Sequence, residues 1–174
     1  MSRYIRCRQA GGRFFFTVVA EQRRPIFTNA AFRQALHDSI VTLRRQQAFE
    51  VNAWVLLPDH MHCIWTLPEN DTDYSSRWGK IKAGVSKRIG AVVTARPGRR
   101  YESGIWQRRF WEHRIRDDSD YQRHMDYLLF NPVKHGLVAR VADWPYSSFH
   151  RLVRDGVYPL DWAGVCTMDG DFGE

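Results

Sequence analysis

The sequence predicts an α+β domain, because short β-branched and aromatic runs are interleaved with longer segments of helical periodicity. The strand-like runs are Phe14–Val19, the pair Val51–Leu57 and Cys63–Leu67, and Ile105–Ile115. Between them lie segments whose apolar residues recur at three- and four-residue steps. With 174 residues, 44% of them hydrophobic and 14% aromatic, the chain fits one domain with a useful core and is not a disordered protein. We expect that domain over residues 1–165, with 166–174 a tail that is poorly ordered unless it docks.

Taken in order, the arginine-rich start to Arg13 lacks an apolar signal core and a cleavage site. It reads as part of the fold, in the cytoplasm. No apolar run approaches the roughly 20 residues that span a bilayer. Gly11-Gly12 predicts a turn into the buried Phe14–Val19 strand. A helix is expected over 29–47, capped by Asn29, with Phe32, Leu36, Ile40 and Leu43 on one face. A second, over 74–89, carries Trp78, Ile81, Val85 and Ile89. A third opens at the acidic Asp117-Asp118-Ser119-Asp120, suited to a positive helix N-terminus, and should run to Phe130 or Asn131, where Pro132 stops it. A short capped helix is expected over 143–150. The cysteines Cys7, Cys63 and Cys166 are odd in number and show no CxxC spacing, so any metal site must use imidazole and oxygen.

The net charge of +7 is unevenly placed. Between Arg77 and Arg114 eleven Lys/Arg face only Glu102 and Glu112, which leaves the remainder of the chain at −2. Such concentration favours a polyanion-binding face. Charge alone does not separate DNA from RNA or from a membrane surface; the candidate binding residues are Lys80, Lys82, Lys87 and Arg88 on the second helix, Arg99 and Arg100 in the turn-rich connection, and Arg108 and Arg109. The last two adjoin Phe110 and Trp111, and cations beside aromatics suit single-stranded nucleic acid. The plainer alternative is a core Phe110 and Trp111 flanked by solvated arginines.

The chemistry centres on Pro58-Asp59-His60-Met61-His62. Pro-Asp between two strand-like runs is a tight connection, and the two-residue period of a strand points His60 and His62 to one face. Two imidazoles make half of a metal site. On the third helix, Tyr127 lies about 140° and Asn131 about 105° from the centre of the apolar stripe of Tyr121, Met125, Leu128 and Leu129, at about 100° per residue. The two are four apart and share a flank. His60, His62 and the Asn131 carboxamide are therefore candidate ligands for a divalent ion, Mg²⁺ or Mn²⁺ first, with Zn²⁺ or Co²⁺ also admitted. Tyr127 is the candidate nucleophile for a phosphate bound there. A surface tyrosine with a wet hydroxyl is the plain alternative.

At these residues the chain resembles the REP-associated tyrosine transposases of the single-tyrosine HUH endonuclease superfamily. The resemblance rests on Asn52-Ala53-Trp54-Val55 through His60-Met61-His62-Cys63-Ile64-Trp65, on Ile105-Trp106-Gln107-Arg108-Arg109-Phe110-Trp111-Glu112-His113, and on His124-Met125-Asp126-Tyr127 with Asn131-Pro132-Val133-Lys134-His135-Gly136. Asp143-Trp144-Pro145-Tyr146-Ser147-Ser148-Phe149 and Tyr158-Pro159-Leu160-Asp161-Trp162-Ala163-Gly164 extend it over nearly the whole chain. It implies a ferredoxin-like or RRM-like antiparallel sheet with helices packed on one face. It also implies metal ligation by His60 and His62, and attack by Tyr127 that leaves a 5′-phosphotyrosine and a free 3′-hydroxyl. The substrate class would be single-stranded DNA beside palindromic hairpins repeated through a genome, and the protein a monomer or homodimer at the nucleoid. Related insertion-sequence transposases carry Gln four residues after the tyrosine, where this chain has Asn131. Two other readings compete: a module that binds hairpin or single-stranded DNA without cutting, and a metal phosphodiesterase that uses water and leaves Tyr127 dispensable.

Overall fold

The computed structural model describes residues 10–89, 104–164 and 172–173. Strands β1 (Gly12–Val19), β2 (Glu50–Leu56), β3 (His60–Leu67) and β4 (Trp111–Arg114) form one antiparallel sheet in the order β2-β3-β1-β4. Helix α1 (Ala30–Gln46) joins β1 to β2, and α2 (Tyr74–Ile89) lies between β3 and β4. This βαββαβ connectivity is the ferredoxin-like arrangement. Helices α3 (Asp118–Lys134) and α4 (Phe149–Arg154) follow.

Strand alternation divides the core into two layers. Phe14, Phe16 and Val18 of β1 and Met61, Cys63 and Trp65 of β3 face α1 and α2. There Trp65 and Trp78 stack with ring centroids 4.4 Å apart, and Phe27 and Phe32 do the same at 4.4 Å. Phe15, Ala53, Val55 and Ile64 point the other way, against Met125, Leu128 and Leu129 of α3. Helices α1 and α2 thus form the layer on one face that the resemblance implies, and α3 adds a layer on the second.

Most expected elements form within a residue or two. The Asn29 side chain accepts from the Ala31 N–H at 2.8 Å and caps α1. Asp117 caps α3 by accepting from the Asp120 N–H at 2.8 Å. Gly11 adopts φ +66° and donates its N–H to the Asp71 carbonyl at 2.8 Å, so the expected turn is real and needs glycine.

Three boundaries differ from expectation. The ladder of β4 begins only at Trp111, because Ile105 and Trp106 leave it to fill the core. Trp106 packs 5.1 Å from Phe27 and 5.2 Å from Phe32, pairs with Ala20 by an isolated bridge, and donates its indole N–H to Ser86 at 3.2 Å. Pro132 does not stop α3, which runs on to Lys134; the His135 N–H closes the end on the Asn131 carbonyl at 3.0 Å. A proline costs the helix one donor, and here the following turn is capped well enough to continue. The helix expected over 143–150 is replaced by a short 3₁₀ turn, Val141–Asp143, and by α4. Residues 146–148 are drawn onto the free edge of β2 instead: the Leu56 N–H reaches the Tyr146 carbonyl, and the Ser148 N–H the Trp54 carbonyl, each at 2.9 Å.

Candidate active site

The β2–β3 hairpin turns at Pro58-Asp59, where the Leu57 N–H meets the His60 carbonyl at 2.8 Å. His60 and His62 follow at once on β3, 1% and 0% exposed, with ring centroids 5.0 Å apart. They share their face with Ile64, the face that α3 covers. Tyr127 of α3 is 4% exposed and sets its ring edge-on to His62, centroids 5.4 Å apart. Asn131, one turn further along α3, is fully buried. The structure therefore brings the histidine pair, Tyr127 and the turn bearing Asn131 to one place from segments more than sixty residues apart in sequence.

Each imidazole is fixed through Nδ1. His60 Nδ1 lies 2.7 Å from Asp59 Oδ1, and a carboxylate can only accept there, so Nδ1 carries the proton. His62 Nδ1 lies 2.8 Å from Thr17 Oγ1, and that hydroxyl donates its own hydrogen to the Phe172 carbonyl at 2.5 Å. Thr17 thus accepts from His62, which also carries its proton on Nδ1. Both rings then keep Nε2 as the basic nitrogen, the tautomer and outer bonding that metal-binding histidines use. Two Nε2 donors with a carboxamide oxygen fit a divalent cation that accepts mixed nitrogen and oxygen ligands. Asp59 sits below the ordinary carboxylate range: burial works against its ionisation, but the hydrogen bonds and charges of His60 and Arg23 outweigh it. Arg23 reaches Asp59 at 3.1 Å from a backbone with φ +50°, a left-handed conformation that its neighbour Gln22 shares.

The surroundings of Tyr127 include residues that sequence reasoning passed over. Lys134 Nζ lies 3.1 Å from the Tyr127 hydroxyl and 4.7 Å from its ring centroid. Phe172 stacks on the ring, centroids 3.7 Å apart and planes 12° apart. His135 stands 5.1 Å from His60, edge to face. Lys134 and His135 were legible only as parts of the Asn131–Gly136 motif. Thr17 had no local signal, because its role follows from the β1–β3 register that sets it opposite His62.

His113, Asp120 and His124 also bring candidate ligand atoms within 4.8 Å of one another. Their hydrogen bonds argue for a structural network. Asp120 Oδ2 accepts from His113 Nε2 at 2.8 Å and from the Arg116 N–H at 3.0 Å, and Oδ1 from Arg123 at 3.2 Å. His124 Nδ1 donates to the Asp120 carbonyl at 2.8 Å, which spends that nitrogen. The cluster locks the start of α3, the helix that carries Tyr127, to β4.

The candidate DNA-binding residues differ in their surroundings. Lys80, Lys87, Arg88, Arg108 and Arg109 are exposed. Lys82 instead donates to the Gln107 carbonyl at 2.7 Å and lies over Trp106 and Phe110, tying the connection before β4 to α2. Arg99 and Arg100 fall outside the described residues. Arg77, counted in the same basic segment, is 2% exposed and paired with Asp71.

This geometry agrees with the likeness of the chain to known proteins. A family profile described as transposase IS200 like matches residues 12–128. A REP-associated tyrosine transposase from Escherichia coli (strain K12) is 49% identical over 167 residues, 96% of this chain and 94% of the relative. The chain belongs to the IS200-like transposases, among the REP-associated tyrosine transposases. A relative from Haemophilus influenzae is 44% identical over 170 residues and is covered to 94%. The solved structure of a REP-associated tyrosine transposase bound to a REP hairpin superposes with a TM-score of 0.87 at 48% identity, over 100% of this chain and 98% of that one. The protein is thus an enzyme of the tyrosine transposase class with an α+β fold. Among the described residues no helix is long and apolar enough to cross a membrane.

Proposed function

We propose that this protein is a metal-dependent single-stranded DNA endonuclease and strand transferase that acts at palindromic hairpin repeats through a covalent 5′-phosphotyrosine intermediate. The observation that carries the reading is the placement of Tyr127 against His62, ring centroids 5.4 Å apart, across the gap between α3 and β3. His60, His62 and Asn131 would hold the divalent ion, Mg²⁺ or Mn²⁺. When bound, it would polarise the scissile phosphate and offset charge developing on it. The Tyr127 oxygen forms a bond to phosphorus, the bond from phosphorus to the 3′-oxygen breaks, and the phenol proton ends on the departing 3′-hydroxyl. Attack by a 3′-hydroxyl reverses these changes and rejoins strands. The relative solved with a REP hairpin supports a hairpin partner. Exposed Lys80, Lys87, Arg88, Arg108 and Arg109, with Arg99 and Arg100, would supply its electrostatic grip. Residues 1–165 would form one nuclease domain, working in the cytoplasm at the nucleoid.

The test is to incubate a hairpin-bearing single strand with Mn²⁺ or Mg²⁺ and look for protein covalently attached to DNA. Wild type forms the adduct; Tyr127→Phe binds the hairpin without forming it. Cleavage by Tyr127→Phe would assign the attack to water, and a wild type that cuts no strand would leave a binding module. His60→Ala is expected to lose cleavage far more than affinity, and equal losses would make His60 structural.

A further inference from the structure

We infer that Lys134 is a second catalytic residue of this site, its ammonium holding the reacting oxygen of Tyr127 and stabilising negative charge on it as the bond to phosphorus forms and breaks. The inference rests on the proposed covalent chemistry. Its structural basis is the pair of distances from Lys134 Nζ, 3.1 Å to the Tyr127 hydroxyl and 4.7 Å to the ring centroid. Seven residues bring a helix back to nearly the same side after about two turns, a rise of roughly 10 Å. The lysine stem must therefore lie back along α3 and over the phenol ring to make both contacts. α3 reaches Lys134 only because it continues through Pro132; a helix that stopped at Asn131 would release the lysine into solvent.

A cation in the last turn of a helix is favoured by the helix dipole alone. The dipole does not explain why an exposed lysine side chain folds back onto one particular oxygen, since ordering a long side chain costs rotamer freedom. The contact is with the atom where charge changes. A phenol oxygen has two lone pairs, so it can accept from Lys134 and still present a lone pair to phosphorus. The lysine keeps its three protons throughout. In the forward step it offsets charge on the attacking oxygen; in the reverse step the same oxygen is the leaving group and gains the same support. Donors preorganised at such an oxygen are worth about 10²-fold or more in rate.

The experiment measures single-turnover adduct formation and its reversal by a 3′-hydroxyl strand, with a saturating hairpin single strand and Mn²⁺, for wild type, Lys134→Ala, Lys134→Gln, Lys134→Arg and Tyr127→Phe. Forward and reverse steps share one transition state, so both rates should fall, by about 10²-fold, in the alanine and glutamine variants. Hairpin affinity and Mn²⁺ affinity, measured directly, should stay at wild-type values. Lys134→Arg should recover part of the rate. Lys134→Cys treated with 2-bromoethylamine, which rebuilds an ammonium of lysine length, should recover most of it, with wild type alkylated in parallel as the control. Wild-type rates in Lys134→Gln, or no recovery on alkylation of a folded Lys134→Cys, would overturn the inference while the adduct-forming reading stands. A wild type that forms no adduct, like Tyr127→Phe, would overturn both.

Discussion

Phe172 lies flat on Tyr127, ring centroids 3.7 Å apart, and its carbonyl takes the hydrogen of the Thr17 hydroxyl. One face of the candidate nucleophile is therefore covered by the chain's own tail. A DNA strand approaching that face must displace the ring. An aromatic stack is worth about 1 kcal/mol, so Phe172→Ala is expected to speed adduct formation by about fivefold at fixed hairpin concentration. A slower variant would mean that the ring belongs to the productive surface.

Thr17 is completely buried and connects His62 to that tail. Thr17→Val keeps its volume and removes the hydroxyl, so the fold should persist while the His62 ring loses its orienting partner. Metal affinity is expected to fall by about 10- to 100-fold, read by Mn²⁺ titration with circular dichroism as the control for folding. Unchanged affinity would detach Thr17 from the metal site.

The cluster at the start of α3 makes stability depend on acid. Burial opposes ionisation of Asp120, but the hydrogen bonds from His113 and the Arg116 N–H, with the charges of His113 and His124, hold its carboxyl well below the usual range. A carboxyl depressed in the fold contributes stability that is present above its unfolded value of about 3.9 and is lost as pH falls toward the folded one. His124 is also depressed, chiefly by burial, so protonating it opposes folding as pH drops below its ordinary 6.5. The Tm should decline from pH 7 toward 5 and more steeply below pH 4. Asp120→Asn should lower stability by about 3 kcal/mol at pH 7 and remove the acid limb, and an unaltered limb would place that dependence elsewhere.

Arginines of the basic segment should separate into two kinds. Arg77 is buried, donates to the Ala48 and Asp73 carbonyls and pairs with Asp71. Arg77→Ala is expected to cost about 3 kcal/mol of stability with no change in the salt dependence of DNA binding. Exposed Arg108 and Arg109 should behave in the opposite way. Their joint replacement by Ala should leave Tm unchanged and reduce the slope of log affinity against log salt by about 2. The same slope in both proteins would move the DNA contact off this surface.

The sheet and its first two helices were legible because their signals are local: Asn29 as a cap, the period of α1 and α2, and Pro-Asp between two strand-like runs. The common face of His60 and His62 follows from strand geometry alone. The burial of Tyr127 was hidden from the helical wheel, which sees one stripe per helix. α3 is enclosed on more than one side, by the sheet through Phe15 and His62 and by the tail through Phe172. The partners that fix the site were hidden for a related reason. Thr17 and Phe172 reach His62 and Tyr127 only through long-range pairing, and a pattern confined to a few neighbouring residues carries no trace of that.

The alternation along β3 has one further consequence. His60 and His62 look toward α3 while Met61 and Cys63 look into the hydrocarbon between the sheet and α1–α2. Sliding β3 by a single residue against β1 would exchange the two sets, burying imidazoles in oil and offering a thioether and a thiol to the tyrosine. The competence to cut DNA is thus decided during folding, when Thr17 finds His62. A hairpin misthreaded in this way would bury two unpartnered imidazoles, so the register that packs the core is also the one that builds the site.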